Sequence, residues 1–277
     1  MNKIENDKVK PFLKWAGGKL RIVSQLKKKF PKGTRFVEPF LGAGSVSLNV
    51  EYPSYVVNDF NADLACVWRT TKEKGTEFVE ECRKLFTKKN NIASAYYDFR
   101  QEFNQTKSSL RKATLFVYLN RHCFNGLCRY NAKGGFNVPF GKYTKPYFPE
   151  KELNICVQKI QNFKIYNKDF REIFDMVGPG DVVYCDPPYV PLSATSHFTS
   201  YSSGGFGLED QIDLARCSRI AADNGAVVVV SNHYNWYTAE LYGKMFKAKL
   251  NKIKVSRTIS SKTNERSPVE EIMAVFE

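Results

Sequence analysis

Asp186-Pro187-Pro188-Tyr189 follows the apolar run Val182-Val183-Tyr184-Cys185. A buried strand that ends in an acid and two prolines presents them at the carboxyl edge of a sheet, where open α/β folds hold their sites. Consecutive prolines fix φ and remove two amide donors, so the carbonyls here act only as acceptors. Asp-Pro turns also simply end strands, but two prolines followed by an aromatic suit a substrate with two hydrogens to donate. The exocyclic amine of a nucleobase is such a group. Its lone pair is conjugated into the ring, so it is a poor nucleophile. Asp186 and the Pro187 carbonyl would accept its two hydrogens and turn the lone pair toward a methyl donor. Pro188 carries the chain to Tyr189, whose ring would stack on the base. A base inside a duplex cannot reach such a pocket and has to leave the helix first.

A second constellation begins at Val37-Glu38-Pro39-Phe40-Leu41-Gly42-Ala43-Gly44-Ser45. Gly42 and Gly44 permit a tight turn and close approach of backbone to a ligand. A dinucleotide fingerprint needs a third glycine, and position 47 is Ser, which weakens an oxidoreductase reading. Asp59 ends the next strand candidate and could accept hydrogen bonds from both hydroxyls of a ribose, or else cap the helix that starts near Asn61. With no phosphate partner evident, the turn fits the adenosyl and methionine parts of S-adenosylmethionine. A sulfonium methyl is already activated, so the chemistry calls for no metal and no covalent enzyme intermediate.

Short β-branched or aromatic runs position these groups: Arg35–Pro39, Tyr55–Asn58, Phe163–Tyr166, Val182–Cys185, Ala226–Ser231, Lys252–Ile259 and Ile272–Phe276. Runs apolar on both faces read as strands buried on both sides. Helical stretches lie between them, including Lys19–Phe30, Leu208–Asp223 and Trp236–Phe246. The alternation predicts an α/β fold with a doubly wound, mostly parallel, Rossmann-like sheet. From about Ala62 to Pro149 only helical patterns and turns occur, with helices expected over Ala62–Lys74, Thr76–Phe86, Ala93–Asn104 and Leu110–Arg121. We therefore expect a catalytic domain of residues 1–61 and 150–277 carrying an inserted, mainly helical DNA-recognition subdomain of residues 62–149.

The formal net charge of the 277 residues is +14, and +9 of it falls within residues 62–149. From Phe103 to Pro149 there are eight basic and ten aromatic residues and no acid. Cations interleaved with aromatics suit a surface that grips phosphates and wedges against bases; an aromatic core with an incidental basic face is the plainer account. The seven cysteines show no C-x-x-C pair and read as free thiols of a reducing compartment. No signal peptide or membrane-length apolar run is evident, so a cytoplasmic protein, monomeric and without an obligate protein partner, is expected. His122, His197 and His233 suggest neither a metal site nor a triad.

The motifs resemble, in type and in order, those of the Dam-type DNA adenine-N6 methyltransferases, over nearly the whole chain. Phe12-Leu13-Lys14-Trp15-Ala16-Gly17-Gly18-Lys19 is similar to their N-terminal cofactor motif, and Phe40-Leu41-Gly42-Ala43-Gly44 to their glycine loop. Asn120-Arg121 and Asn125-Gly126-Leu127-Cys128-Arg129-Tyr130-Asn131 resemble their recognition hairpin. Phe136-Asn137-Val138-Pro139-Phe140-Gly141 and Asp186-Pro187-Pro188-Tyr189 complete the set. The resemblance implies S-adenosylmethionine contacts by Trp15, Lys19, Phe40, Gly42, Gly44, Asp59 and Asp186. It implies that Lys14, Leu127, Arg129 and Pro139 read base edges of GATC in double-stranded DNA. Phe124, where relatives often carry Tyr, and Asn125 would wedge beside the flipped adenine. Arg100, Asn131, Lys142 and Lys145 would meet phosphates, which position without specifying sequence. A restriction-system adenine methyltransferase with another target site, a cytosine-N4 enzyme and an inactive DNA-binding relative remain alternatives. Pro191–Gly207, rich in Ser, Thr and Gly with Phe198, Tyr201 and Phe206, is expected to form either a mobile loop that orders over DNA or the flipped base, or a plain disordered connection.

Overall fold

The computed structural model describes residues 8–190, 205–255 and 269–277. The chain divides into two compact units, one of residues 1–23, 41–51 and 59–167, the other of 24–40, 52–58 and 168–277.

The first unit is mainly helical: α2 (Ala62–Lys74), α3 (Thr76–Leu85), α4 (Ala93–Gln105), α5 (Ser109–His122) and α6 (Glu150–Lys159). Helix α1 (Val23–Lys27) starts at the boundary between the units. Ala113 through His122 are all buried, so α5 is an interior helix with α2, α3 and α4 packed on it. Its last turn is polar, and each polar group is satisfied locally. Asn120 accepts from the Lys14 amide and donates to the Lys14 carbonyl, both at 2.8 Å. Arg121 donates to the Phe12 carbonyl, and His122 Nδ1 lies 2.8 Å from the Tyr118 carbonyl. A buried polar side chain costs stability unless it is bonded; here those bonds hold the N-terminal segment in place. Asn61 caps α2 by accepting from the Leu64 amide at 3.0 Å. Strand β3 (Phe163–Tyr166) ends this unit.

The second unit holds the other six described strands: β1 (Arg35–Glu38), β2 (Ser54–Asn58), β4 (Asp181–Cys185), β5 (Val227–His233), β6 (Lys249–Val255) and β7 (Val269–Phe276). Their order is β2-β1-β4-β5-β7-β6. The first four are parallel; β7 runs antiparallel to both β5 and β6. Every residue of β4 is buried, as are five of the seven of β5, which is why both read as continuous apolar runs. Arg35 and Asp181 face each other in register at the start of β1 and β4 and form an ion pair, with Nε to Oδ1 at 3.0 Å. The direction of winding reverses between β1 and β4. That reversal is the switch point at which α/β sheets open a crevice. Helix α8 (Leu208–Asp223) packs on β5 and β7, and the short α7 (Phe170–Phe174) packs on α8.

The chain therefore has the expected α/β class with a mostly parallel sheet. Two stretches depart from the expected helices. Of Lys19–Phe30 only Val23–Lys27 is α-helical; the Ile22 amide bonds the Lys19 carbonyl in a tight turn instead. Trp236–Phe246 starts as the single turn α9 (Trp236–Thr238) and widens into a π-turn over Ala239–Met245. Helices α6 and α7 escaped the sequence pattern because each is short and buries only two or three side chains. Most of Pro191–Gly207, His197 and the final residues of the Lys252–Ile259 run fall outside the described residues. All seven cysteines are free thiols. Among the described residues, no helix is long and apolar enough to cross a membrane and no side-chain cluster could hold a metal ion.

Candidate active site

In the second unit, β4 delivers Asp186 at its carboxyl end. Register pairs Val37 with Val183, so the chain leaving β1 at Pro39-Phe40 emerges beside the chain leaving β4 at Cys185-Asp186. Both ends therefore open at the switch point. Pro187 is buried, Pro188 exposed, and Asp186 and Tyr189 half-buried. Tyr189 donates to Glu271 Oε2 at 3.0 Å and meets the His233 ring edge-on at 4.8 Å. Burial, and then the negative charge of Asp186, pushes the Tyr189 phenol well above its ordinary pKa. It is a protonated ring that can stack, not a base. Phe40 belongs to an aromatic cluster with Phe170 and Phe206, each 5.5 Å away.

In the first unit, the glycine turn is tied to Asp59. Asp59 Oδ2 accepts from the Gly42 amide at 2.8 Å, and Oδ1 accepts from the Asn61 amide at 2.9 Å. The cap of α2 is Asn61 and not Asp59, and each Asp59 carboxylate oxygen keeps a second lone pair with which to accept. Burial raises the Asp59 pKa, and the two amides oppose that rise. Gly42 and Gly44 have φ of +51° and +69°, which disfavours any side chain. A Cβ on Gly42 would sit 3.0 Å from the Trp15 ring, and one on Gly44 2.8 Å from the buried Trp68 ring. Trp68 Nε1 also donates to the Gly42 carbonyl at 3.0 Å. Lys19 is buried and donates to the Gly17 carbonyl at 2.7 Å. Trp15, Gly42, Gly44 and Asp59 thus lie together at one tight turn of the first unit, where any Cβ would meet the Trp15 or Trp68 ring and the backbone stays bare to whatever approaches it.

The same unit gathers the residues predicted to read DNA. Lys14 Nζ lies over the Tyr143 ring at 4.5 Å, and the Tyr143 hydroxyl accepts from the Asn125 amide at 3.0 Å. Asn125 has φ +54°, a left-handed conformation that Asn tolerates better than most residues. Burial, then the charge of Arg121, lowers the Lys14 pKa. Phe124 and Leu127 are exposed, at 50% and 40%, which is unusual for apolar side chains beside a cationic surface. Arg129 donates to Asn137 Oδ1 at 2.8 Å, so its guanidinium is oriented. Asn131 Oδ1 accepts from the Lys133 and Gly135 amides and turns the hairpin closed by the Tyr130–Phe136 bridge. The Pro139 carbonyl accepts from the Phe124 amide. Lys142, at φ +54°, and Lys145 are exposed. Arg100 bonds the Val138 carbonyl at 3.2 Å and lies over the Tyr97 ring, which commits part of its donor set. Sequence reasoning passed over Tyr143, Asn137 and the polar side chains under Tyr189. Gln211 gave one signal, a glutamine on the apolar face of a helix.

A mostly parallel α/β sheet with an acid-proline-proline-aromatic turn at its switch point has the architecture of a methyltransferase domain, and the two-glycine turn bonded to a carboxylate is no nicotinamide fingerprint. A family model described as D12 class N6 adenine-specific DNA methyltransferase matches residues 15–259. The chain belongs to this family and is an enzyme that methylates N6 of adenine in DNA. It is 45% identical over 269 residues to a DNA adenine methylase of Escherichia coli (strain K12), covering 97% of this chain and 96% of that one. It is 44% identical over 270 residues to a DNA adenine methylase of Salmonella typhimurium (strain LT2), covering 98% and 96%, and 43% identical over 270 residues to one of Serratia marcescens, covering 97% and 99%.

Proposed function

We propose that the enzyme methylates the adenine of GATC in duplex DNA and takes the methyl group from S-adenosylmethionine. The observation that carries methyl transfer to an amine is Asp186-Pro187-Pro188-Tyr189 at the carboxyl end of β4, at the switch point beside β1; the choice of GATC rests on the likeness of Asn125–Asn131 to relatives named DNA adenine methylase and on the acid-free segment Phe103–Pro149. Asp186 and the Pro187 carbonyl accept the two hydrogens of the adenine amine and orient its lone pair. The same acceptors stabilise positive charge as it develops on nitrogen, and in this reading Asp186 takes the departing proton. Tyr189 stacks on the adenine once it has left the helix. Trp15, Lys19, Phe40, Gly42, Gly44 and Asp59 hold the cofactor, with Asp59 accepting from its ribose. When bound, S-adenosylmethionine supplies a methyl group already activated on sulfonium.

Residues 62–149, with Lys14, form the recognition part. Arg129, oriented by Asn137, reads a guanine edge; Lys14, Leu127 and Pro139 contact other base edges. Phe124 and Asn125 fill the space left by the flipped base. Arg100, Asn131, Lys142 and Lys145 contact phosphates. Support comes from the gathering of these residues on one unit, from the charge of that segment and from relatives named DNA adenine methylase.

The test is radiolabelled methyl transfer to duplexes that differ by one base pair within GATC. Label confined to the adenine of the intact site is expected. Equal label on every duplex, or preference for another site, would discard GATC, and a donor other than S-adenosylmethionine would discard the cofactor.

A further inference from the structure

Helix α8 turns a glutamine into the core of the second unit. Gln211, Asn232 and Tyr242 are fully buried, at 0% exposure. Burying two side-chain amides is costly unless both ends of each are bonded, and here the bonds form a closed chain beneath the catalytic turn. Gln211 Nε2 donates to the Pro188 carbonyl at 2.8 Å. Gln211 Oε1 accepts from Asn232 Nδ2 at 3.1 Å and from the Tyr242 hydroxyl at 2.7 Å. Asn232 Oδ1 accepts from the Val190 amide at 3.1 Å.

Both amides are locked in one orientation. The Pro188 carbonyl can only accept, so Gln211 must face it with nitrogen and turn oxygen toward Asn232. The Val190 amide can only donate, so Asn232 must face it with oxygen and turn nitrogen toward Gln211. The two requirements agree in a single polarity. Between the two pinned groups lies Tyr189, whose hydroxyl is held by Glu271 and whose ring is met by His233. His233 Nδ1 also lies 2.9 Å from the Val190 carbonyl, and that contact fixes its Nδ1–H form.

We propose that Gln211 and Asn232 are positioning residues for methyl transfer, which fix the two peptide planes flanking Tyr189 and so hold its ring in the attitude that stacks on the target adenine. The inference rests on the stacking role proposed above for Tyr189. The plainer account, that the amides only satisfy one another beneath α8, predicts a loss of stability without a specific loss of chemistry.

The test uses the full chain with a GATC duplex, and for binding a duplex carrying 2-aminopurine at the target position, whose fluorescence is quenched by stacking. Gln211→Leu is expected to lower kcat by about 10- to 100-fold, as small misplacements of reacting groups do, with KM for DNA changed by less than about threefold. Fluorescence of the bound 2-aminopurine should rise toward that of Tyr189→Ala. In a Tyr189→Ala background the further cost of Gln211→Leu should nearly vanish, because both changes remove one interaction. Asn232→Asp gives a pH signature. Its buried carboxyl, with a raised pKa, donates to Gln211 when protonated and opposes Gln211 Oε1 when ionised. Its kcat should therefore fall more steeply than that of the wild type as pH rises.

A Gln211→Leu enzyme with wild-type kcat and wild-type 2-aminopurine signal would overturn the inference, even with a lowered melting temperature. Should that variant fail to fold, an Asn232→Asp pH profile parallel to that of the wild type would overturn it equally. If Tyr189→Ala itself leaves kcat and fluorescence unchanged, the stacking role fails. If Tyr189→Ala is impaired and Gln211→Leu is not, only the positioning role fails.

Discussion

Adding one methyl group at Gly42 or at Gly44 should separate cofactor binding from folding, though the two sites lie two residues apart on one turn. Both have positive φ, at +51° and +69°, where any residue with a Cβ is strained by about 1–2 kcal/mol. A less flexible unfolded chain offsets up to about 1 kcal/mol of that in either variant. The neighbours differ. A Cβ on Gly42 comes within 3.0 Å of Trp15 Cδ1 and Nε1. Trp15 is half-buried and can retreat by a few tenths of an ångström. A Cβ on Gly44 comes within 2.8 Å of Trp68 Cη2 and 2.9 Å of Cζ2. Trp68 is fully buried, edge-on to Phe12 at 5.4 Å and bonded to the Gly42 carbonyl, so it cannot give way. Overpacking of that kind adds about 1–3 kcal/mol. Gly44→Ala should therefore lose roughly 2–4 kcal/mol of folding stability, and Gly42→Ala about 1 kcal/mol or less. The Gly42→Ala cost falls instead on the ligand, because the displaced ring belongs to the proposed cofactor cradle; affinity for S-adenosylmethionine should drop about tenfold. Urea unfolding without cofactor and calorimetric titration with it give both quantities. Wild-type affinity in Gly42→Ala, or equal stabilities for the two variants, would refute the reasoning.

His122 should make stability depend on acid. Burial lowers its pKa to about 4 from an ordinary 6.5. Between those values the unfolded chain binds the proton and the folded protein does not, so stability rises with pH there. The contribution is present in full above about pH 6.5 and is lost as pH falls through about 4, some 3 kcal/mol at most. Urea unfolding at pH 7 and pH 4 should show a smaller acid loss for His122→Phe than for the wild type. Asp186→Ala should lower methyl transfer by roughly 10²-fold or more while gel-shift binding to DNA persists; undiminished turnover would remove Asp186 from the mechanism. Arg129→Ala should relax discrimination at one base pair by about 1–3 kcal/mol. Lys142→Ala should weaken all sequences evenly and reduce the salt slope of binding by about one. Competition titrations at several salt concentrations distinguish the two patterns.

The central strands were legible because burial on both faces leaves an uninterrupted apolar run, as in Val182–Cys185 and Ala226–Ser231. Helices α2 and α8 run over Ala62–Lys74 and Leu208–Asp223, the spans their patterns predict. Their ends coincide with cap residues, Asn61 and Gly75 for α2 and Gly207 for α8. The π-turn was not legible, because its residues form an ordinary helical pattern and the widening is visible only in bonds such as that from the Phe246 amide to the Leu241 carbonyl, five residues back. The division of the chain into units was hidden for a related reason. It reflects contacts between segments far apart in the chain, Asn120 with Lys14 among them, which no local period records. The catalytic turn and glycine turn carry unusual residue types and announce themselves. Their supports, Gln211, Asn232, Trp68 and Asn61, are common residues made special by what they touch.

Those supports share a design. In the first unit the segment Phe124–Asn137 is fastened to the end of an interior helix and to the Asp59 turn, not left as a free loop. The Tyr130 hydroxyl donates to Asp63 Oδ2 at 2.8 Å and lies 3.4 Å from the Asn61 amide, and Asn61 is the residue whose backbone amide bonds Asp59. The side chains that fix the hairpin of Arg129 and Asn131 thus also border the carboxylate that holds the glycine turn. In the second unit, the buried amides of Gln211 and Asn232 do for Tyr189 what Asn120 does for Lys14. Each uses a side-chain amide, with one donor end and one acceptor end, as a substitute for a strand partner where the chain has left regular structure. Such a clamp fixes peptide planes without adding a strand at the carboxyl edge of the sheet.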